Sequence, residues 1–126
     1  MVKEYIDYRG VRIIDVFSVV GGKGQVNISY ENGSKPAGWH KHPWVDVLYC
    51  VKGKFKVGVV GLCKKNIVWY YMREREPSYF IIWKDEWHGF KAMEPDSILL
   101  YYMSEKYDGN KIEELPIGHF GENWND

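Results

Sequence analysis

Short runs dominate the chain. In them apolar, β-branched and aromatic residues alternate with polar ones, and helical spacing is scarce. Such alternation marks strands. Residues 12–20 read as a first strand, closed by Gly21-Gly22-Lys23-Gly24, and 25–30 as a second, closed by Asn32-Gly33. Residues 35–43 read as an irregular arm. Residues 45–51 and 54–60 flank Lys52-Gly53, a hairpin turn in which Gly53 is suited to positive φ. Residues 67–72, 79–83, 89–92 and 97–103 follow at short intervals. Glu94-Pro95-Asp96 and Asp108-Gly109-Asn110 read as turns, and 111–115 as a helical turn. Short strands at this spacing predict an all-β sandwich or barrel. With no internal repeat and no linker, residues 1–126 are expected to form a single domain.

Composition narrows the function classes. A chain of 126 residues can bury a core without disulfide staples. Seventeen basic and seventeen acidic residues cancel, so no basic face for nucleic acid stands out. Lys64-Lys65 and Arg73-Glu74-Arg75-Glu76 read as solvated surface. The start lacks an apolar signal region, and no apolar run reaches the ~20 residues of a membrane helix. A cytoplasmic protein with no membrane partner is therefore expected. Cys50 and Cys63 then read as reduced thiols without an activating neighbour. Six Trp, ten Tyr and five Phe exceed what a small core needs, and suit either packing or a pocket for a flat ring or a sugar.

The chemistry gathers in Trp39-His40-Lys41-His42-Pro43-Trp44-Val45-Asp46. In extended chain, residues two apart share a face. His40 and His42 would then enter one cavity, and Asp46 keeps that parity in a regular strand. Three residues separate His42 from Asp46, and six more separate Asp46 from Gly53. A third histidine, His88, closes Ile82-Trp83-Lys84-Asp85-Glu86-Trp87.

This spacing resembles the cupin superfamily, whose fold is a double-stranded β-helix, a jelly-roll barrel. Its first motif is His-x-His, an acid, then Gly; its second ends in His. Asp46 stands where Glu is usual, and Trp83 and Asp85 where Pro and Gly are usual. In metal-binding cupins these positions are ligands, so the resemblance gives one candidate set: His40, His42, Asp46 and His88 around a divalent transition metal.

A closer resemblance covers most of the chain from about Val11. Gly38-Trp39-His40, Trp87-His88-Gly89-Phe90, Leu99-Leu100-Tyr101, Tyr107 and Asn123-Trp124-Asn125-Asp126 are similar in order and spacing to dTDP-4-dehydrorhamnose 3,5-epimerases. That resemblance implies cofactor-free chemistry on a nucleotide-linked 4-keto-6-deoxy sugar. A proton next to the ketone is removed and one is returned from the other face. It implies His40 as base, Asp126 as its partner, Tyr101 as acid and His88 at the developing enolate. Tyr107, His42 and Trp39 would contact substrate. The family's diphosphate-holding arginine is replaced by Ala37, which leaves Lys35, Lys41 or Arg73 for that task.

Gly38-Trp39-His40-Lys41-His42 also resembles the 3,4-ketoisomerases of dTDP-4-keto-6-deoxyglucose, small cupins in which the two histidines would share the proton work. An isomerase serving deoxysugar and polysaccharide synthesis is thus the leading expectation, with a metal cupin as the rival. By the same analogy a homodimer is expected.

Overall fold

The computed structural model describes residues 3–7, 9, 11–18, 24–31, 35–61, 66–77 and 79–125. Among them, alternation becomes eleven strands: β1 (Lys3–Ile6), β2 (Arg12–Ser18), β3 (Gln25–Glu31), β4 (Trp39–Lys41), β5 (Asp46–Lys52), β6 (Lys54–Val60), β7 (Ile67–Arg73), β8 (Phe80–Ile82), β9 (Trp87–Ala92), β10 (Ser97–Met103) and β11 (Glu113–Leu115). They form two antiparallel sheets, ordered β1-β2-β3-β10-β5-β8 and β11-β4-β9-β6-β7. The all-β jelly-roll expectation holds.

Three local readings differ. β1 has no counterpart in the sequence reading, its run being short and charged. The arm at 35–43 contains β4, and 113–115 form β11 rather than a helical turn. β11 exists because β4 offers it an edge: Glu114 pairs with His40 and Leu115 with Trp39. Before it, Gly109–Lys111 make one turn of 3-10 helix, capped by the Asp108 carboxylate accepting from the Asn110 N–H at 3.0 Å. Residues 19–20 of the expected first strand, the Asn32-Gly33 turn, Cys63, Lys64-Lys65 and Asp126 lie outside the described residues.

β5 and β6 form the expected hairpin. Gly53 takes φ +82°, and a Cβ there would overlap the Ser97 hydroxyl. The core between the sheets comprises Leu48, Cys50, Phe55, Val57, Val59, Met72, Ile82, Ala92 and Leu99. A second cluster, Trp39, Val60, Trp87 and Trp124, packs with Trp69 and Phe120. Lys56 Nζ donates to the Asn123 carbonyl at 3.0 Å and lies 4.4 Å from the Trp69 ring centre. This fastens the segment after β11 across the second sheet and explains why β6 is buried on both faces.

β3 inverts the usual polarity. Gln25, Asn27, Ser29 and Glu31 are buried, while Val26, Ile28 and Tyr30 are more exposed. Opposite them on β10 stand Ile98, Leu100 and Tyr102, and opposite Leu100 and Tyr102 on β5 stand Tyr49 and Val47. The first sheet therefore shows an apolar outer face and, along β3, a polar inner one.

Candidate active site

The polar inner face of β3 is one wall of a cavity of about 790 Å³. Gln25, Asn27, Tyr101, Met103, Asp46 and Leu48 line it from the first sheet, and His40, His88, Phe90 and Glu114 from the second. His42, Trp44, Lys106, Tyr107 and Ile112 line it from the connections. His40 and His88 are register partners across β4 and β9, which sets both imidazoles on one wall.

Three acceptors converge inside. Asp46 Oδ2 lies 3.1 Å from His42 Nε2 and 3.7 Å from His88 Nε2. The three residues are buried, and their candidate ligand atoms fall within 4.8 Å of one another. Each ring is fixed from behind. His42 Nδ1 lies 3.0 Å from the Trp44 carbonyl, and His88 Nδ1 lies 3.0 Å from the Glu86 carbonyl. A carbonyl only accepts, so both Nδ1 atoms carry hydrogen. In the neutral rings, both Nε2 lone pairs then face the carboxylate. Lone pair facing lone pair at hydrogen-bond distance calls for a cation between them, either a proton or a metal ion. Asp46 Oδ1 is also buried and, among the described residues, accepts no hydrogen bond. Trp44 stacks on His42 with ring centres 4.3 Å apart, further restricting that ring.

Electrostatics separates the histidines. Burial pushes His88 down to about 4; Asp46 opposes the fall and His42 adds to it. His88 is therefore neutral near pH 7 and offers the cavity a lone pair. In this tautomer it cannot donate to an enolate oxygen, the role the resemblance implied. Burial also lowers His40 below the usual imidazole range, with the Glu114 carboxylate opposing. A neutral His40 can accept a proton. Its Nε2 lies 3.8 Å from Glu114 Oε1, and its ring centre is 6.4 Å from that of His88. It lines the cavity but stands apart from the His42–Asp46–His88 group.

The other sequence candidates divide. Tyr101 and Tyr107 line the cavity, and Tyr107 lies edge-on to Trp44 at 6.5 Å. Trp39 does not. Fully buried, it packs against Trp69, Phe120 and Trp124, because adjacent strand residues point to opposite faces and His40 takes the inner one. Lys35 is exposed away from the cavity, and Arg73 is exposed at the end of β7. Lys41 instead pairs with Glu113 at 3.3 Å. The cations that do line the cavity are Arg9 and Lys106. Arg9 is bound to Glu31 at 2.5 Å and Asp7 at 2.8 Å, two negative charges against its one.

Sequence reasoning missed Glu114, Arg9, Gln25 and Asn27. Glu114 was hidden by the helical reading of 111–115. The alternation of Gln25, Asn27, Ser29 and Glu31 was visible, but it reads as the solvent face of a strand.

Solved structures share this architecture. The capsular polysaccharide assembling protein CapF of Staphylococcus aureus superposes with a TM-score of 0.80 at 17% identity, covering 93% of this chain and 35% of that one. A single-residue variant of the oxalate decarboxylase of Bacillus subtilis gives 0.76 at 14%, covering 90% and 30%. The chain has a cupin fold. Protein SO0799 of Shewanella oneidensis gives 0.72 at 9%, covering 89% of this chain and 78% of that one. The chain spans about a third of the length of CapF and of the decarboxylase. No protein-family model and no curated protein sequence matches it. Among the described residues, no helix is long and apolar enough to cross a membrane.

Proposed function

We propose that this cupin is an isomerase that moves protons next to the ketone of a nucleotide-linked 4-keto-6-deoxy sugar. One observation carries the reading: His40 and Tyr101 line the same cavity from different sheets. Removing a proton from one face of a sugar and returning one to the other needs an acceptor on one wall and a donor on the opposite wall. His40, held neutral by burial, is the acceptor, and Glu114 steadies the imidazolium that forms. Tyr101 is the donor. CapF, a capsular polysaccharide assembling protein of similar fold, fits the same chemical setting.

Within this class the 3,5-epimerase reading is favoured over the 3,4-ketoisomerase one. Its order of motifs, His88-Gly89-Phe90, Tyr101 and Trp124-Asn125-Asp126, runs through the second half of the chain. The test is NMR of dTDP-4-keto-6-deoxyglucose incubated with the protein in D2O. Deuterium entering C5 selects the epimerase; deuterium at C3 with movement of the keto group selects the ketoisomerase. No exchange with folded protein refutes both. His40→Asn is expected to leave no more than a few per cent of turnover.

A second reading has its own observation, the three acceptors of His42, Asp46 and His88. These residues fit a divalent transition metal: two imidazoles anchored through Nδ1 to carbonyls, plus a carboxylate with an unfilled oxygen. When bound, such an ion supplies positive charge to stabilise an enolate or to support metal-dependent chemistry. Elemental analysis of gently purified protein decides. Near-stoichiometric metal lost in His42→Ala supports a metal cupin; metal-free protein refutes it.

We also propose a homodimer in the cytoplasm. The apolar outer face of β3, β10 and β5 supports the pairing. Light scattering on Tyr49→Lys, expected to be monomeric, tests it.

A further inference from the structure

The inner face of β3 carries a hydrogen-bond chain with one direction. Its fixed end is the backbone N–H of Tyr107, which donates to Gln25 Oε1 at 3.0 Å. A backbone amide only donates, so that side of the Gln25 carboxamide must be oxygen. Gln25 Nε2 then donates to Asn27 Oδ1 at 3.1 Å. This leaves Asn27 Nδ2 to donate to the Tyr101 hydroxyl oxygen at 3.3 Å. Asn27 and Tyr101 are register partners across β3 and β10, so the last bond joins residues held side by side in the sheet. Gln25 is 7% exposed and Asn27 1%, so flipping either carboxamide would set like groups against each other away from water. One backbone amide thereby orients three side chains.

We propose that Gln25 and Asn27 are positioning residues that hold Tyr101 ready to give its hydroxyl proton to a ligand in the cavity. The inference rests on the proton-transfer reading above. Asn27 fills a lone pair of the phenol oxygen from the wall, so the O–H points away from Asn27. When Tyr101 acts, its O–H bond breaks and a C–H bond forms at the sugar carbon. The electron pair of the enolate makes that bond and the ketone returns. The phenolate left behind is met by the Asn27 N–H, which strengthens as charge develops. Aligned amides upstream polarise that donor further. The proton held by His40 then returns to Tyr101 through solvent, restoring both groups.

The experiment compares Asn27→Leu and Gln25→Met with the unsubstituted chain and with Tyr101→Phe. The first readout needs no turnover. Tyrosine labelled with 13C at Cζ reports what bonds to the phenol oxygen, and the Tyr101 resonance is assigned by its loss in Tyr101→Phe. The relay requires that resonance to move in both variants, and further in Asn27→Leu. The second readout is dTDP-4-keto-6-deoxyglucose in D2O. Loss of one hydrogen bond to a developing charge should slow inversion about tenfold. Deuterium uptake, which needs only His40, should fall less, and KM should hold.

A stationary resonance in both folded variants overturns the proposal. So does an equal fall of uptake and inversion, or a rise in KM alone, which would mean simple ligand contact. Should Asn27→Leu fail to fold, Gln25→Met, one link farther from the phenol, carries the test. If the resonance moves but the unsubstituted chain shows no exchange, the isomerase reading fails and the relay stands.

Discussion

Arg9→Met should destabilise the fold severely although it removes no apolar packing. The Arg9 side chain is 5% exposed and that of Glu31 2%. Their two contacts, 2.5 and 3.3 Å, form a fork across 22 residues of sequence. Burial works against the guanidinium charge, yet Glu31 and Asp7 outweigh it and raise Arg9 above its ordinary range. Removing one partner of a buried pair costs ~3–5 kcal/mol, because the other charge stays buried. Ser29 still donates to Glu31, so the lower end, ~3 kcal/mol, is expected. That is a large share of the ~5–15 kcal/mol that holds a domain together. At roughly 3–5 °C per kcal/mol for a chain of this size, Tm should fall by about 10–15 °C. Urea unfolding of Arg9→Met, Glu31→Gln and the double variant measures the coupling. Adding Glu31→Gln to Arg9→Met should recover part of the loss by removing the stranded charge. A loss under about 1 kcal/mol in Arg9→Met, or no recovery in the double variant, would refute the reasoning.

Other expectations follow from the same contacts. His88 takes a proton near 6.5 when unfolded but only near 4 when folded, so metal-free protein should be fully stable above about pH 6.5 and lose stability as pH falls towards 4. At about 1.4 kcal/mol per pH unit the loss is at most ~3 kcal/mol, read from urea midpoints, and His88→Gln should flatten the slope. Cys50 is buried, its thiol donates to the Lys52 and Gly53 carbonyls, and burial pushes it up to about 11. Iodoacetamide at pH 8 should therefore leave it unlabelled in native protein and label it in urea, as peptide mass spectrometry will show. Gly53→Ala combines φ +82° with overlap on Ser97 and should cost about 2 kcal/mol or more in denaturant unfolding.

Local periodicity carried much of the site into view. Strand parity suggested that His40, His42 and Asp46 share a face, and His88 joined them through the spacing that resembles the cupin motifs. The same parity places Trp39 opposite His40, which is why that tryptophan belongs to the core and not to the cavity. What stayed hidden depends on distant partners. β11 is three residues long and pairs with β4, more than seventy positions earlier, so 111–115 read locally as a helical turn. Alternation in β3 gave its period but not its sense. A strand normally turns its apolar side inward, and only the presence of a polar cavity reverses it. The Tyr107–Gln25–Asn27–Tyr101 relay spans 82 residues and has no local signature.

The location of His40 and Tyr101 in separate sheets has a mechanical consequence. Among the described residues, no ladder of backbone hydrogen bonds fixes the gap between them. The layer of Leu48, Phe55, Val57, Met72 and Leu99 between the sheets does. Under the proposed isomerase reading, that layer is the spacer of a caliper whose two jaws are the proposed proton acceptor and proton donor. A methylene removed from Leu99 would then be felt twice, as lost stability and as a jaw gap no longer matched to the thickness of a sugar ring. If the proposed reaction holds, its rate is a gauge of core packing several side chains away.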